Sequence, residues 1–239
     1  MNWIKTHCLL FACLPVLLLS ACTECPTPRE NRVLVFLQPT DTAALKALPK
    51  EVNKWVGKEL FSHYPCEPCL AGRVKVVQVQ GNCKPRALLS LQFPPLSTRI
   101  DRNRLPSVYT NFMEGLKAFQ LDSLDEEAPA SCFYPLFCQE LTEMIEGVRA
   151  GKLQVLVYSD LLGKESAFGI EKSDQKVMAP DSMELQLIKR YKKVLPDLHD
   201  VAIQIVSNQK DVDELHLNSN WKLWKAIFER HGAQVMGRP

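Results

Sequence analysis

Two kinds of side chain in this chain could do chemistry: cysteines, and small oxygen donors placed where apolar runs end. "QPTDT", residues 38–42, follows the apolar run 33–37, and Ser159 with Asp160 follows "LQVLVY". Amide, hydroxyl and carboxylate oxygens grouped in this way suit a hard divalent cation. The same groups suit a helix start, where a side-chain oxygen accepts one of the first backbone N–H groups. The sulfur chemistry centres on "YPCEPC", residues 64–69. A redox dithiol needs its first thiol at a helix N-terminus, where the dipole and free N–H groups lower its pKa. Pro65 and Pro68 instead make a turn after a helical segment and before a strand. A structural disulfide is therefore preferred at Cys66 and Cys69, with a thiol-disulfide enzyme using that pair as the alternative. Zinc is disfavoured, since Cys83 is the only further cysteine near in sequence and no histidine has ligand spacing.

The compartment decides between these readings, and the first residues speak to it. "MNWIKTHCLLFACLPVLLLSAC" has a basic start at Lys5, an apolar run, and small residues before Cys22, the layout of a cleaved export signal. Its run is short for a permanent span. Leu19, Ser20, Ala21 and Cys22 resemble the lipobox of bacterial lipoproteins, which implies a signal at residues 1–21 and a lipid on Cys22. Residue 23 is Thr rather than Asp, and by the same resemblance that points to the outer membrane, facing the periplasm. Residues 22–32 read as the lipidated cysteine and a polar, proline-bearing tether, and residues 33–239 as one domain.

Nine cysteines occur in the 239 residues. Cys8 and Cys13 fall in the signal and Cys22 takes the lipid, leaving Cys25, Cys66, Cys69, Cys83, Cys132 and Cys138. An even number in an oxidising compartment favours a disulfide framework of open connectivity, in which chain proximity suggests Cys132 with Cys138. The 29 lysines and arginines against 27 aspartates and glutamates give near neutrality, which argues against nucleic acid as a partner.

The elements that must position these groups follow from periodicity. Residues 33–37 form a continuous apolar run, as expected of a central parallel strand buried on both faces. Leu45, Leu48, Val52, Val56 and Leu60 make a helical stripe. "RVKVVQVQ" and "RALLSLQF", separated by "GNCKP", read as an antiparallel edge hairpin. Helices are expected around "RLPSVYTNFMEGLKAFQL", over 133–150 with Gly151 as its cap, over 181–194, and from about Asn218 with Gly232 closing it. Strands are expected at "LQVLVY", at "VAIQIV" and, briefly, at "AQVM". Trp221, Trp224 and Phe228 share a helical face and read as core. The alternation predicts an α/β fold, a doubly wound, mostly parallel sheet with one antiparallel edge hairpin, in which ligands lie beyond the carboxyl ends of the strands.

That order, together with the Ser-Asp pair in "LVYSDLL", resembles the von Willebrand factor A domain over nearly all of residues 31–239. The family's metal-ion-dependent adhesion site begins with Asp-x-Ser-x-Ser after the first strand. Position by position, Gln38 stands for the Asp, and Thr40 and Thr42 stand for the two Ser. Ser131 is the best match for a later Thr, and Asp160 matches an Asp after the fourth strand. The resemblance thus implies ancestral ion-site positions whose leading carboxylate is gone. Asp160 is left as the main anion, and capping by Thr40 or Thr42 is preferred to a standing metal site. No cofactor is expected beyond weak Mg²⁺ at Asp160. No phosphate loop, nucleophile elbow or zinc-protease motif occurs, and the acidic stretch 121–129 reads as a solvated turn. The resemblance implies a binding protein rather than an enzyme. The expected partner is another envelope or extracellular protein, met at the carboxyl edge of the sheet.

The anchor is testable by itself. Cys22→Ser is expected to abolish palmitate labelling and to release the chain from the membrane fraction or leave it unprocessed. Unchanged fractionation and labelling would refute it.

Overall fold

The computed structural model describes residues 29–38, 70–79, 83–93, 132–146, 151–159, 179–206 and 214–237, with isolated helical positions at Lys50, Ser107, Thr110, Asn111, Glu114 and Gly115. Strand β1 (Arg29–Leu37) is followed by the hairpin β2 (Leu70–Val79) and β3 (Pro85–Phe93). Then come α1 (Phe133–Ile145), β4 (Leu153–Tyr158), α2 (Pro180–Tyr191), β5 (Val201–Val206), α3 (Glu214–Arg230) and β6 (Gln234–Met236). The six strands form one sheet in the order β3-β2-β1-β4-β5-β6. Only β2 and β3 pair antiparallel; the other four neighbours are parallel. This is the α/β architecture expected from the alternation, a mostly parallel sheet with an antiparallel edge, consistent with a von Willebrand factor A-like fold.

β1 lies at the centre because its side chains can be buried on both faces: Val33, Leu34, Val35, Phe36 and Leu37 have no solvent exposure. The strand begins at Arg29 rather than at Val33, so residues 29–32, expected in the tether, pair with β2 from Leu70 onward. What draws them in is Arg32, itself buried. Its guanidinium donates to the carbonyl oxygens of Met144 and, at 3.0 Å, of Glu146, and it pairs with Glu30 at 2.6 Å. A fixed cation thus satisfies carbonyls that the end of α1 would otherwise leave unpaired.

This explains a second difference. α1 ends at Ile145, with Glu146 already extended, and does not run on to Ala150. Gly151 is not its cap. A Cβ there would lie 1.9 Å from the carbonyl oxygen of Glu30, so glycine is required by the close passage of two backbones. α2 starts at Pro180, a residue suited to the first helical position, and stops at Lys192 in the left-handed conformation. α3 begins at Glu214, earlier than expected, and Gly232, at φ +97°, closes it as anticipated.

The core lies between the sheet and these helices. Phe137 of α1 meets Phe36 edge-on at 4.7 Å and Trp224 at 5.3 Å, and Phe228 at 5.1 Å completes the cluster. Trp224 and Phe228 are buried and Trp221 packs against them, as the spacing predicted. Beside this apolar contact, α1 is clasped to β2 by charge. Lys75 bonds to Glu140 at 2.6 Å and to Glu143 at 2.7 Å, and Arg73 reaches Glu143 at 2.7 Å. Burial works against the Lys75 charge, but its carboxylate partners outweigh it and raise the pKa. The hydrogen bond from Lys75 holds the Glu143 carboxyl below its ordinary range. Glu143 therefore adds stability above the ordinary carboxylate pKa and loses it as pH falls through its own lower value.

The cysteine expectations need correction. Cys132 is bonded to Cys83 of the β2–β3 turn, across 49 residues, and not to Cys138. The reason is geometric: Cys132 caps α1 and Cys138 lies six residues along it, a rise of about 9 Å, beyond disulfide reach. Cys138 is a buried free thiol, so the expected pairing of all six cysteines fails at that residue. Burial pushes its pKa up to about 12, which keeps it protonated. Cys22, Cys25, Cys66 and Cys69 lie outside the described residues. Cys138 is expected to resist alkylation in the native protein and to react only on unfolding. Replacing Cys83 and Cys132 by Ala should cost about 4 kcal/mol in a denaturant titration, the chain-entropy value for a loop of this length. A native, reagent-accessible Cys138 would contradict this packing.

Candidate functional site

The register of the sheet brings two of the polar strand ends together. β1 and β4 run level, Phe36 opposite Val157 and Leu37 opposite Tyr158, so the next residues, Gln38 and Ser159, fall side by side. The backbone ladder extends this far: Gln38 N–H donates to the Tyr158 carbonyl at 3.0 Å, and Ser159 N–H to that of Val206 at 3.1 Å. Both side chains are buried, Gln38 at 9% and Ser159 at 5% exposure. The Ser159 hydroxyl donates to Oε1 of Gln38.

Two further features meet at this edge. α1 runs antiparallel to the strands, its last carbonyls held by Arg32 at the amino edge, so its N-terminal end, Cys132, stands at the carboxyl edge. The Cys83 turn follows the carboxyl end of β2, and its disulfide to Cys132 fastens the hairpin to the start of α1. Ser131, one of the positions matched to the ion site, immediately precedes Cys132 in sequence. Ser131, Thr40, Asp41, Thr42 and Asp160 lie outside the described residues, as does the acidic stretch 121–129. The structure therefore places Gln38 and, beside it, Ser159, which the sequence marked only as a polar strand end.

The chemistry of the described pair is that of a closed hydrogen bond. The amide carbonyl of Gln38 is neutral and engaged by a hydroxyl, and Ser159 adds no charge. A divalent cation wants several oxygens, carboxylates among them, and to use these two it would have to break their bond without gaining an anion. By themselves they do not fit the ion that the resemblance implies. Among the described residues, no three His, Cys, Asp or Glu side chains are grouped to hold a metal. Two of the histidines serve elsewhere: His231 bonds Glu184 at 2.5 Å beside Arg230, and His199 bonds Asp197.

No family model matches the chain, and no curated protein matches it. Solved structures similar to it include proximal thread matrix protein 1 from the mussel byssus, with TM-score 0.40, 10% identity, and coverage of 90% of this chain and 44% of that one. Another is the human COPII-coat protein Sec24c, with TM-score 0.38, 14% identity, and coverage of 81% and 28%. The chain thus spans less than half the length of either. At these scores the likenesses add nothing to what strand order and register already establish.

Millimolar Mg²⁺ or Mn²⁺ is expected to leave the melting temperature nearly unchanged, because stabilisation grows only once the ligand exceeds its dissociation constant. Gln38→Asp supplies the missing carboxylate and is expected to create saturable stabilisation by the ion, which Asp160→Ala in the same chain removes. Saturable stabilisation of the unmodified protein, lost in Asp160→Ala, would show a working ion site despite Gln38. No gain in Gln38→Asp would withdraw the matched positions.

Proposed function

We propose that this chain is a lipid-anchored protein of the bacterial cell envelope, with a von Willebrand factor A-like domain whose ion site is degenerate. It acts by binding another envelope or extracellular protein through the carboxyl edge of its sheet. The observation that carries this reading is the bond between Gln38 and Ser159. In the resembled family, recognition at this edge runs through a metal ion. A neutral, internally satisfied pair at the leading position favours direct side-chain recognition by the surrounding loops. The Cys83–Cys132 bond supports it, since it fixes a hairpin and a helix start at the rim of that edge. A rim fixed before the encounter loses less conformational freedom on binding. The lipid at Cys22, read from the lipobox, would hold the domain at a membrane.

The test is site-specific photo-crosslinking in intact cells. A photoreactive residue at Thr42 or Leu161, beyond the ends of β1 and β4, is expected to trap a discrete protein partner whether or not a chelator is present. The same residue at the exposed Lys222 of α3 should trap none. Crosslinking from position 222 alone would move the interface away from the edge, and crosslinking abolished by chelation would restore an ion-dependent mode.

A further inference from the structure

The bond between Cys83 and Cys132 ties together two parts of the fold that other contacts already hold. α1 is clasped to β2 by Lys75 with Glu140 and Glu143 and by Arg73 with Glu143, and its far end is held by Arg32. Phe137 packs the helix on β1 through Phe36. None of these contacts runs through the disulfide. Opening the bond therefore leaves the helix on the sheet. What it releases is local: the Cys83 turn and the first turn of α1, both at the carboxyl edge.

The two sulfurs differ in ways that set how the bond opens. Cys83 is partly exposed in its turn, whereas Cys132 is buried, so an attacking thiolate has access to Cys83. The backbone of Cys83 is left-handed, at φ +60°, which is unfavourable for a residue with a Cβ and relaxes once the sulfur is free. Cys132 occupies the N-cap of α1, where a side-chain oxygen is usual, and it makes no capping hydrogen bond. No acidic side chain lies in the first turn of that helix. As a leaving thiolate, Cys132 would place a negative charge at the positive end of α1, among its first backbone N–H groups. Burial opposes such a charge, as it does at Cys138. Cys138, however, lies within the helix, where the N–H groups are spent on intrahelical bonds, and Cys132 stands where they are not.

We propose that the Cys83–Cys132 disulfide is a redox switch on the carboxyl edge, opened by a thiol donor at Cys83 with Cys132 departing onto the N-terminus of α1. The donor's thiolate forms a bond to the Cys83 sulfur, and the electron pair of the broken S–S bond leaves on Cys132. A second donor thiolate then removes the first from Cys83 as the donor's own disulfide. Two donor thiols are thus oxidised, the protein's bond is reduced, and Cys83 takes up a proton from water. The consequence for partner binding rests on the function proposed above: a rim that is no longer fixed must be ordered on encounter, and binding weakens.

The experiment treats the native full chain with excess reduced glutathione and follows each cysteine by differential alkylation and mass spectrometry. A structural disulfide resists the glutathione couple. Cys83 and Cys132 are expected instead to become reduced together, with glutathione found transiently on Cys83, while Cys138 stays unreactive and the circular dichroism is unchanged. Amide exchange in the Cys83 turn is expected to rise several-fold, with that of Val33–Leu37 unaltered. A bond that survives glutathione overturns the proposal, as do reduction accompanied by labelling of Cys138, which would mean global unfolding, and unaltered exchange in the turn. Glutathione trapped on Cys132 would overturn the direction of attack. For regulation, the photo-crosslinking from Thr42 is repeated in a chain carrying Cys83→Ala and Cys132→Ala, which opens the rim without a reductant, and capture is expected to fall several-fold. Capture equal to that of the unmodified chain overturns the regulation. Capture in neither chain overturns the binding reading itself, and the glutathione and exchange results then report the switch alone.

Discussion

A single buried guanidinium at the mouth of the central strand sets the geometry on which the rest depends. Arg32 is enclosed, and its two terminal nitrogens are met by carbonyls at the end of α1 and by Glu30. Removing such a cation would leave helix-end carbonyls buried without a donor, at a cost of about 1–3 kcal/mol each. Its larger effect is directional. With the C-terminal end of α1 held at the amino edge of the sheet, the N-terminal end must lie at the carboxyl edge. Lys75, clasped by Glu140 and Glu143 further up the same helix, fixes the rotation. Replacing one partner of that pair would strand a buried charge, which makes the contact costly to break however little it adds in total.

Everything at the carboxyl edge inherits that alignment. Gln38 and Ser159 meet because β1 and β4 are in register, and Cys83 reaches Cys132 because α1 starts where the β2–β3 turn projects. The edge is thus braced by a hydrogen bond between strands and a covalent bond between hairpin and helix, with no described group of anions gathered there. In an ion-bridged interface, affinity resides in a cation that completes its shell with a partner's carboxylate. A binding edge that holds no ion relies on shape and on hydrogen bonds from its loops, and its specificity is then written in side chains.

Much of the fold was legible because its signals are local. The unbroken apolar run 33–37 could only suit a strand covered on both faces, and the period of Trp221, Trp224 and Phe228 could only suit one buried helix face. What misled were long-range partners. Nothing in "TECPTPRENR" announces that Arg32 will find carbonyls more than a hundred residues away, so the strand was expected to start too late and α1 to end too late. Gly151 looked like a helix cap because glycine serves both left-handed turns and close backbone passage, and only the fold distinguishes them. Cys132 and Cys138, matched by chain proximity, were the wrong pair because one caps the helix along which the other lies. At the site, Gln38 was marked for the carboxylate it lacks. Its bond to Ser159 was not foreseen, since strand register is invisible to a reading that treats each loop alone.

The sequestered thiol of Cys138 carries a consequence of parity. If Cys22 is acylated, six cysteines reach the oxidising side of the membrane; one bond takes Cys83 and Cys132, and the core withholds Cys138. Three remain, Cys25, Cys66 and Cys69, and an odd set cannot close on itself. Whichever two combine, the third must persist as a thiol or form a mixed disulfide with another molecule. Cys25 lies only three positions from Cys22 in sequence, so were it the one left over, a covalent link to another molecule would form beside the residue that the lipobox resemblance marks for acylation.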